Sequence, residues 1–559
     1  MRGRMSAVAS EVAPEIRSPW LFGPARDLLF GCGLLYLLVF AAISAIGPSF
    51  RLTQPLIVFP LLILALSAPH YGATILRVYE QARDRRAYAF FSIWATLLVI
   101  AWFVCGLFDH RVGSWMLTLY LIWSPWHYTG QNYGIGVMFL RRAGTPLDPV
   151  TKRSLHASFV LSFLVTAIVL NTDAGPHGYG VIDAPSEGAA IRFLPLGIPG
   201  AVTAIVVPVL AVGWLVATLL AAHRLVQRAP LRSLAPLAMI AATHAMWFGV
   251  PFLAFHFRLV PFESLDFDLR TYYFTWIALA HALQYLWVTT YYARSAPSWP
   301  GTRRYYLKAL IAGKALFVLP VVVFAPLGVL SYDGGLALLV SAAVNLHHFI
   351  LDGAIWKLRH SRVAKILIRS GRDANESDES ASSRRLGLPW VVATACMAAG
   401  LFILWTDMLH VPRLIRAGDY PRAARALDQL GWLGFDHEAK RIQLAAKFLE
   451  RNQMEAAALQ ARRSIDLMPS SEAFRLLGDA QLRGRFHAAA LESYARALDL
   501  QPDSIALLLR LAQANAAKGD ADRARDLLKR ASALAPADDS NARATIEGLE
   551  ARLAHRAAR

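Results

Sequence analysis

Cysteine is almost missing from this chain: Cys32, Cys105 and Cys396 are the only three in 559 residues, and each lies in an apolar stretch. A disulfide framework is therefore excluded, as is any CxxC redox or metal motif. Acidic residues are also few, 39 against 57 Lys and Arg, which leaves a formal net charge of +18. The opening stretch, MRGRMSAVASEVAPEIRSPW, has no apolar core directly after its arginines and no small-residue cleavage site. It reads as an N-terminal cytoplasmic tail, 1–26, with the first apolar span as an uncleaved anchor.

What the chain has in quantity is apolar sequence. Hydrophobic residues make up 56% of it and the mean hydropathy is +0.39, too apolar for an ordinary soluble protein. About eleven segments are long enough to cross a hydrocarbon core of ~30 Å: 27–47, 54–76, 88–108, 113–140, 155–171, 196–222, 233–255, 270–292, 309–330, 334–357 and 389–409. The loops after the second, fourth, sixth, eighth and tenth segments, such as RVYEQARDRRAY and KLRHSRVAKILIRSGRD, are rich in Lys and Arg. The opposite loops, NTDAGPHGYGVIDAPSEG, VPFESLDFDLR and SYDGG, are acidic or nearly neutral. That alternation predicts an N-terminus in the cytoplasm of a bacterial-type inner membrane, and it assigns the positive charge to cytoplasmic loops, not to nucleic-acid binding. The expected fold class is all-α. A polytopic bundle over 27–369 is followed by a polar linker at 370–388, a last transmembrane helix at 389–409 and a domain at 410–559 on the non-cytoplasmic side.

That last domain repeats itself. SSEAFRLLGDAQLRGRFHAAALESYARALDLQPD begins at Ser471 and SIALLLRLAQANAAKGDADRARDLLKRASALAPAD at Ser504. Pro469, Pro502 and Pro536 recur about 34 residues apart, and Ala445, Gly478 and Ala512 hold a small residue at equivalent places. The pattern resembles tetratricopeptide repeats, with 437–470 as a degenerate first copy and RLIRAGDYPRAARALDQLG as an earlier half. The resemblance implies a helical solenoid that offers a surface to a protein partner, or else a scaffold for the protein itself.

Five histidines lie deep in spans that run in one direction. His70 is in the second, His127 in the fourth, His281 in the eighth, and His347 and His348 in the tenth. The first basic residue at the same end follows them by seven residues (Arg77), fourteen (Arg141), thirteen (Arg294) and, from His347, ten (Lys357). At ~1.5 Å rise per residue these offsets place all five in one layer roughly 10 Å thick. Intramembrane ionisable groups face the bundle interior, and neutral imidazoles gathered at one depth suit a metal or a haem. Asp352 is four residues from His348 on the face that also carries Asn345, and is a further candidate ligand. Gln131, Gln284 and Tyr285, one turn from His127 and His281, are placed to orient ligands through their outer nitrogens. His244 lies in an antiparallel span with no polar residue one turn away, and is expected to be structural.

Nitrogen- and oxygen-rich coordination without cysteine suits non-haem iron, and less specifically zinc or copper. A substrate reaching such a site is a lipid, isoprenoid or other long apolar molecule, and the chemistry expected is oxidative. The HxxxH and HxxHH boxes of desaturases and hydroxylases are absent. The PHYG stretch at His70, with one histidine per span, resembles the Brp/Blh-type bacterial β-carotene oxygenases, membrane enzymes whose intramembrane histidines bind iron. The repeats and the HHFILD stretch are not part of that pattern. Three alternatives stay open: a bis-histidine haem protein, a many-span lipid-linked glycosyltransferase, and a non-enzymatic anchor or transporter carrying the repeats. The glycosyltransferase would want carboxylates in its first outward loop, which reads GPSFRLTQ.

The loop charges make a direct prediction. A reporter fused after Lys357 is expected on the cytoplasmic side and one fused after Asp503 on the other. The same side for both would mean that 389–409 does not cross.

Overall fold

The protein is described here by a computed structural model covering residues 19–46, 58–80, 88–172, 189–259, 274–296, 299–356, 361–368, 387–536 and 539–557. The expected N-terminal tail, through residue 18, and all but the end of the expected polar linker, 370–386, lie outside the described residues. Among those described the chain is helical without a strand, and its one sheet-like contact is an isolated bridge between Thr172 and Ile198.

Eight helices are long and apolar enough to cross a membrane by length and composition. With the first helix and two more polar ones they are numbered in chain order: α1 (Leu34–Ile46), α2 (Val58–Glu80), α3 (Phe90–Phe108), α4 (His110–Arg142), α5 (Pro149–Leu170), α6 (Gly200–Val226), α7 (Leu231–Ala254), α8 (Phe274–Ala293), α9 (Thr302–Leu327), α10 (Tyr332–Ile355) and α11 (Leu388–Arg416). A turn of helix before α1 meets it at 59°, and the pair counts as a ninth candidate if taken as one bent span. The bend is made at Gly33, whose φ of +86° few side chains tolerate, and Thr243 donates to the Cys32 carbonyl at 2.9 Å to hold it. α4 and α8 fall short on composition because they carry much of the polar sequence, WHYTGQN and HALQY among it.

α10 is the central helix. Of its apolar window 67% is buried within the protein, against 11% for α6 and 17% for α9, which turn most of their surface outward. α2 is set against α9 by small residues at four-residue spacing. A Cβ on Gly72 would lie 1.7 Å from the Ala309 carbonyl oxygen, and one on Gly313 would lie 1.7 Å from that of Ala68. No side chain larger than hydrogen fits either place, so the two backbones touch and the face of α2 that bears His70 is set. At the other end of the bundle Arg142 is buried. It donates to the carbonyls of Pro19, Trp20 and Leu367, tying the N-terminal segment and the short helix Ser361–Leu367 to the end of α4.

Eight helices follow: α12 (Tyr420–Trp432), α13 (Glu438–Glu450), α14 (Met454–Leu467), α15 (Ser471–Arg483), α16 (His487–Leu500), α17 (Ile505–Lys518), α18 (Ala521–Leu534) and α19 (Ser540–Ala557). α13 to α18 form three antiparallel pairs in the expected register. The small residue at Gly478 is explained by Tyr494, whose ring would stand 2.6 Å from an added Cβ. Apolar side chains of α12 to α15 share one core with those of α3, α4, α9 and α10. The repeats are thus packed onto the bundle and not strung behind it. Polar contacts close the joint. His437 Nδ1–H donates to Asp333 at 3.1 Å, the Glu438 amide donates to the same carboxylate at 2.7 Å, Lys440 pairs with Asp407, and Ser331 donates to the Leu467 carbonyl.

Burial alone favours the neutral imidazole of His437, but its hydrogen bond to Asp333 and the charges of Asp333 and Asp407 outweigh it and hold the pKa above the ordinary histidine value. A pKa raised on folding gives stability that is complete below the unfolded value of ~6.5 and is lost as pH rises through the folded value. Amide exchange in the first turn of α13 is therefore expected to quicken as pH rises through the His437 titration. In His437→Gln it is expected to show no such step beyond intrinsic exchange; an identical step in the variant would remove His437 from this role.

Candidate metal centre

Helix geometry brings the histidines of four helices to one point. On α2, His70 sits in a regular α-helical stretch, Ala68–Ile75, between two wider π-helical turns, Ile63–Ser67 and Leu76–Glu80. Such turns rotate the face of a helix locally and recur at functional positions. On α4, Pro125 interrupts the hydrogen-bond ladder just before His127, and the Thr129 hydroxyl donates back to the Pro125 carbonyl at 2.7 Å. α8 supplies His281 and Tyr285, one turn apart, and α10 supplies His348 and Asp352, also one turn apart.

The ring centroids of His70 and His348 are 4.3 Å apart, those of His70 and His281 4.9 Å, and those of His127 lie 4.9 Å from His281 and 5.2 Å from His348. One ligand atom each from His70, His281 and His348 lie within 4.8 Å of one another, and the same holds for His127, His348 and Asp352. Asp352 Oδ2 is 3.3 Å from His348 Nε2 and 3.8 Å from His127 Nε2. His70, His281 and His348 are buried to within 3% of full burial.

A hydrogen-bond network decides which atoms face this point. Tyr285 and Thr74 both donate to Asp352 Oδ1, at 2.7 and 3.0 Å. Trp356 Nε1–H donates to the Tyr285 oxygen at 3.1 Å. Thr74 Oγ1 also stands 2.5 Å from the Tyr285 hydroxyl and 3.0 Å from His348 Nδ1. In the tautomer that carries its proton on Nδ1, His348 donates to Thr74 and its Nε2, which makes no hydrogen bond, presents a lone pair. Neither do His70 Nδ1, His127 Nε2 or either ring nitrogen of His281. Buried imidazole nitrogens without partners are costly, and these converge, so the donor set fits a metal ion. The two groups overlap at His348.

The supporting residues are placed as follows. Gln131 donates to Gln284 Oε1 at 3.0 Å and to the His281 carbonyl at 3.3 Å, locking α4 to α8. Asn345 accepts from the Tyr71 hydroxyl at 2.7 Å, and Tyr71 sets its ring edge-on to both His70 and His348. His347 is not brought to the cluster. One residue round the helix from His348 turns it by about 100°, and its Nε2 meets the Thr96 hydroxyl at 2.9 Å beside Tyr79. His244 is likewise apart: its Nε2–H donates to the Phe159 carbonyl at 3.0 Å.

Thr74, a polar residue one turn from His70, is placed by sequence to orient that histidine, but the structure turns it to His348 and Asp352. Tyr71, beside His70, carries no signal that separates it from a packing tyrosine. Trp126 and Trp356 read as interface aromatics, yet with His127 and Asp352 they line a cavity of about 340 Å³ beside the cluster.

A tetratricopeptide-repeat family model matches residues 483–549, so the C-terminal part of the chain carries these repeats. No protein of curated function matches the chain.

The Thr74 hydroxyl both orients His348 and donates to Asp352. Thr74→Val keeps the shape and removes both contacts. Losses of this kind typically cost about 10–100-fold in metal affinity, which competition with a chelator would measure; Thr74→Ser is expected to stay near the wild type. Equal affinity in the valine and wild-type proteins would detach Thr74 from ligand orientation.

Proposed function

We propose that this protein is an integral membrane metal-dependent oxidoreductase, with a non-haem iron, acting on a lipophilic substrate, and that its repeats bind a protein partner. The observation that carries the reading is the set of partnerless imidazole nitrogens gathered beside Asp352 from four separate helices. His70, His127, His281 and His348 would hold the ion, with Asp352 at its edge. Iron bound there would supply one-electron redox chemistry with dioxygen, as in desaturation, hydroxylation or cleavage. The chain's own part is to keep four imidazoles neutral and aimed, to hold the Asp352 carboxylate through Tyr285 and Thr74, and to exclude water by burial.

Edge-to-face imidazoles with centroids 4.3 to 5.2 Å apart leave no slab for a macrocycle between facing ligands, which favours a bare ion over haem. From the intramembrane iron oxygenases only the general class is carried over, not a substrate. Loop charge supports eleven crossings, a cytoplasmic N-terminus and repeats on the opposite side of a bacterial-type inner membrane.

Elemental analysis of the purified full-length protein is expected to find one iron per chain and an absorption spectrum without a Soret band. His281→Ala and His348→Ala are expected to lose the metal by at least the roughly 10–100-fold in affinity that follows loss of an outer partner, whereas His244→Ala keeps it. Equal metal content in all four proteins would overturn the assignment, and a Soret band would replace it with the haem reading.

A further inference from the structure

The space beside the histidines has a one-sided construction. Trp126, Gly130, Gly134 and Met138 follow one another every four residues along α4 and form a single row facing the cavity. That row is ~18 Å long at 1.5 Å per residue. The cavity this row lines holds about 340 Å³, near the lower end of ligand-pocket volumes. Its floor is bare backbone at two successive turns. A Cβ added to Gly130 or Gly134 would meet nothing within 4 Å, and the same is true of Gly353 across the cavity on α10. Helix packing does not require these glycines. Gly136, two residues beyond Gly134 on another face of the same helix, is different, because a Cβ there would stand 2.8 Å from Leu237.

The slot opens sideways. Gly130 and Gly353 are exposed, as is Trp126, at a depth within the spans where the neighbouring medium is acyl chains. It is closed toward the membrane surface by Met138 and Leu367, and the latter is held by Arg142. The polar groups in its wall are His127, Gln131, Tyr285 and Asp352, all on the cluster side; the rest of the lining is apolar.

We propose that this slot binds one unbranched acyl chain of a membrane lipid, entering between Gly130 and Gly353 and lying along Gly130 and Gly134, so that an internal carbon of the chain passes His127 and Asp352. This rests on the metal reading and names its substrate class. A space of about 340 Å³ beside a row of bare glycines suits one flexible chain, not a rigid ring system, and the exposed Gly130 and Gly353 admit it from the side without extracting its headgroup from the surface.

The probe is 16-doxylstearic acid, added to the full-length protein in phosphatidylcholine nanodiscs and read by electron paramagnetic resonance. The wild type is expected to immobilise about one more label per chain than Gly130→Leu or Gly134→Leu, with affinity in the variants lowered about tenfold or more by the filled slot. Val212→Leu, on the outward face of α6, is the control for lipid bound around the protein and is expected to match the wild type. Iron content, measured on the same samples, is expected to be unchanged in the glycine variants. Equal immobilisation in wild type and both glycine variants would overturn the slot, as would equally tight binding of a rigid doxyl-cholestane. Absence of iron from a wild type that still binds the label would instead sink the metal reading and leave the slot standing.

Discussion

An imidazole buried in protein at membrane depth has two nitrogens to satisfy and no water to do it. Everything around the cluster follows from that constraint. His244 meets it with the Phe159 carbonyl, and His347 meets it with Thr96. His348 contacts Thr74 through Nδ1, while its Nε2, His70 Nδ1, His127 Nε2 and both ring nitrogens of His281 make no hydrogen bond. A packing seam would pair these imidazole nitrogens with carbonyls or hydroxyls on neighbouring helices, as His244 and His347 are paired. The hydroxyls within reach, those of Thr74 and Tyr285, are instead spent on Asp352.

The shared depth of the histidines was legible because membrane proteins mark their own surface with Lys and Arg, so that distance from Arg77, Arg141 or Arg294 measures depth. Helical phase likewise separates His347 from His348, since adjacent residues cannot face one centre. The all-helical architecture and the repeats were legible for a similar reason: apolar length and a period of about 34 residues are local properties. What sequence does not carry is contact at long range. The bond of Thr74 to Asp352 joins residues 278 apart, and Tyr71 reaches Asn345 across 274. Thr74 and Tyr71 look like ordinary polar and aromatic residues until α2 and α10 are set side by side. The joint of His437 with Asp333 was hidden in the same way, and so was the core that the repeats share with the bundle.

That shared core places α10 between the two halves of the protein. Its first turn, at Asp333, receives the start of α13, and its last turns carry His348 and Asp352. α10 is kinked at Gly335 (φ +140°), just after the joint, and runs on from there as one regular helix to the cluster, so it links the repeats to the candidate metal centre.

The order of the ligands along the chain has a consequence for biogenesis. His70 and His127 emerge from the ribosome and enter the membrane long before His281, and His348 and Asp352 come last of all. For most of synthesis the early histidines are polar groups in lipid without their eventual neighbours. The close backbone crossing of α2 and α9 through Gly72 and Gly313 is made before α10 exists, so a half-built cavity is already shaped when the final helix arrives. On the proposed metal reading, capture of the ion would be a late step of assembly, one that a chain truncated before residue 348 would not reach.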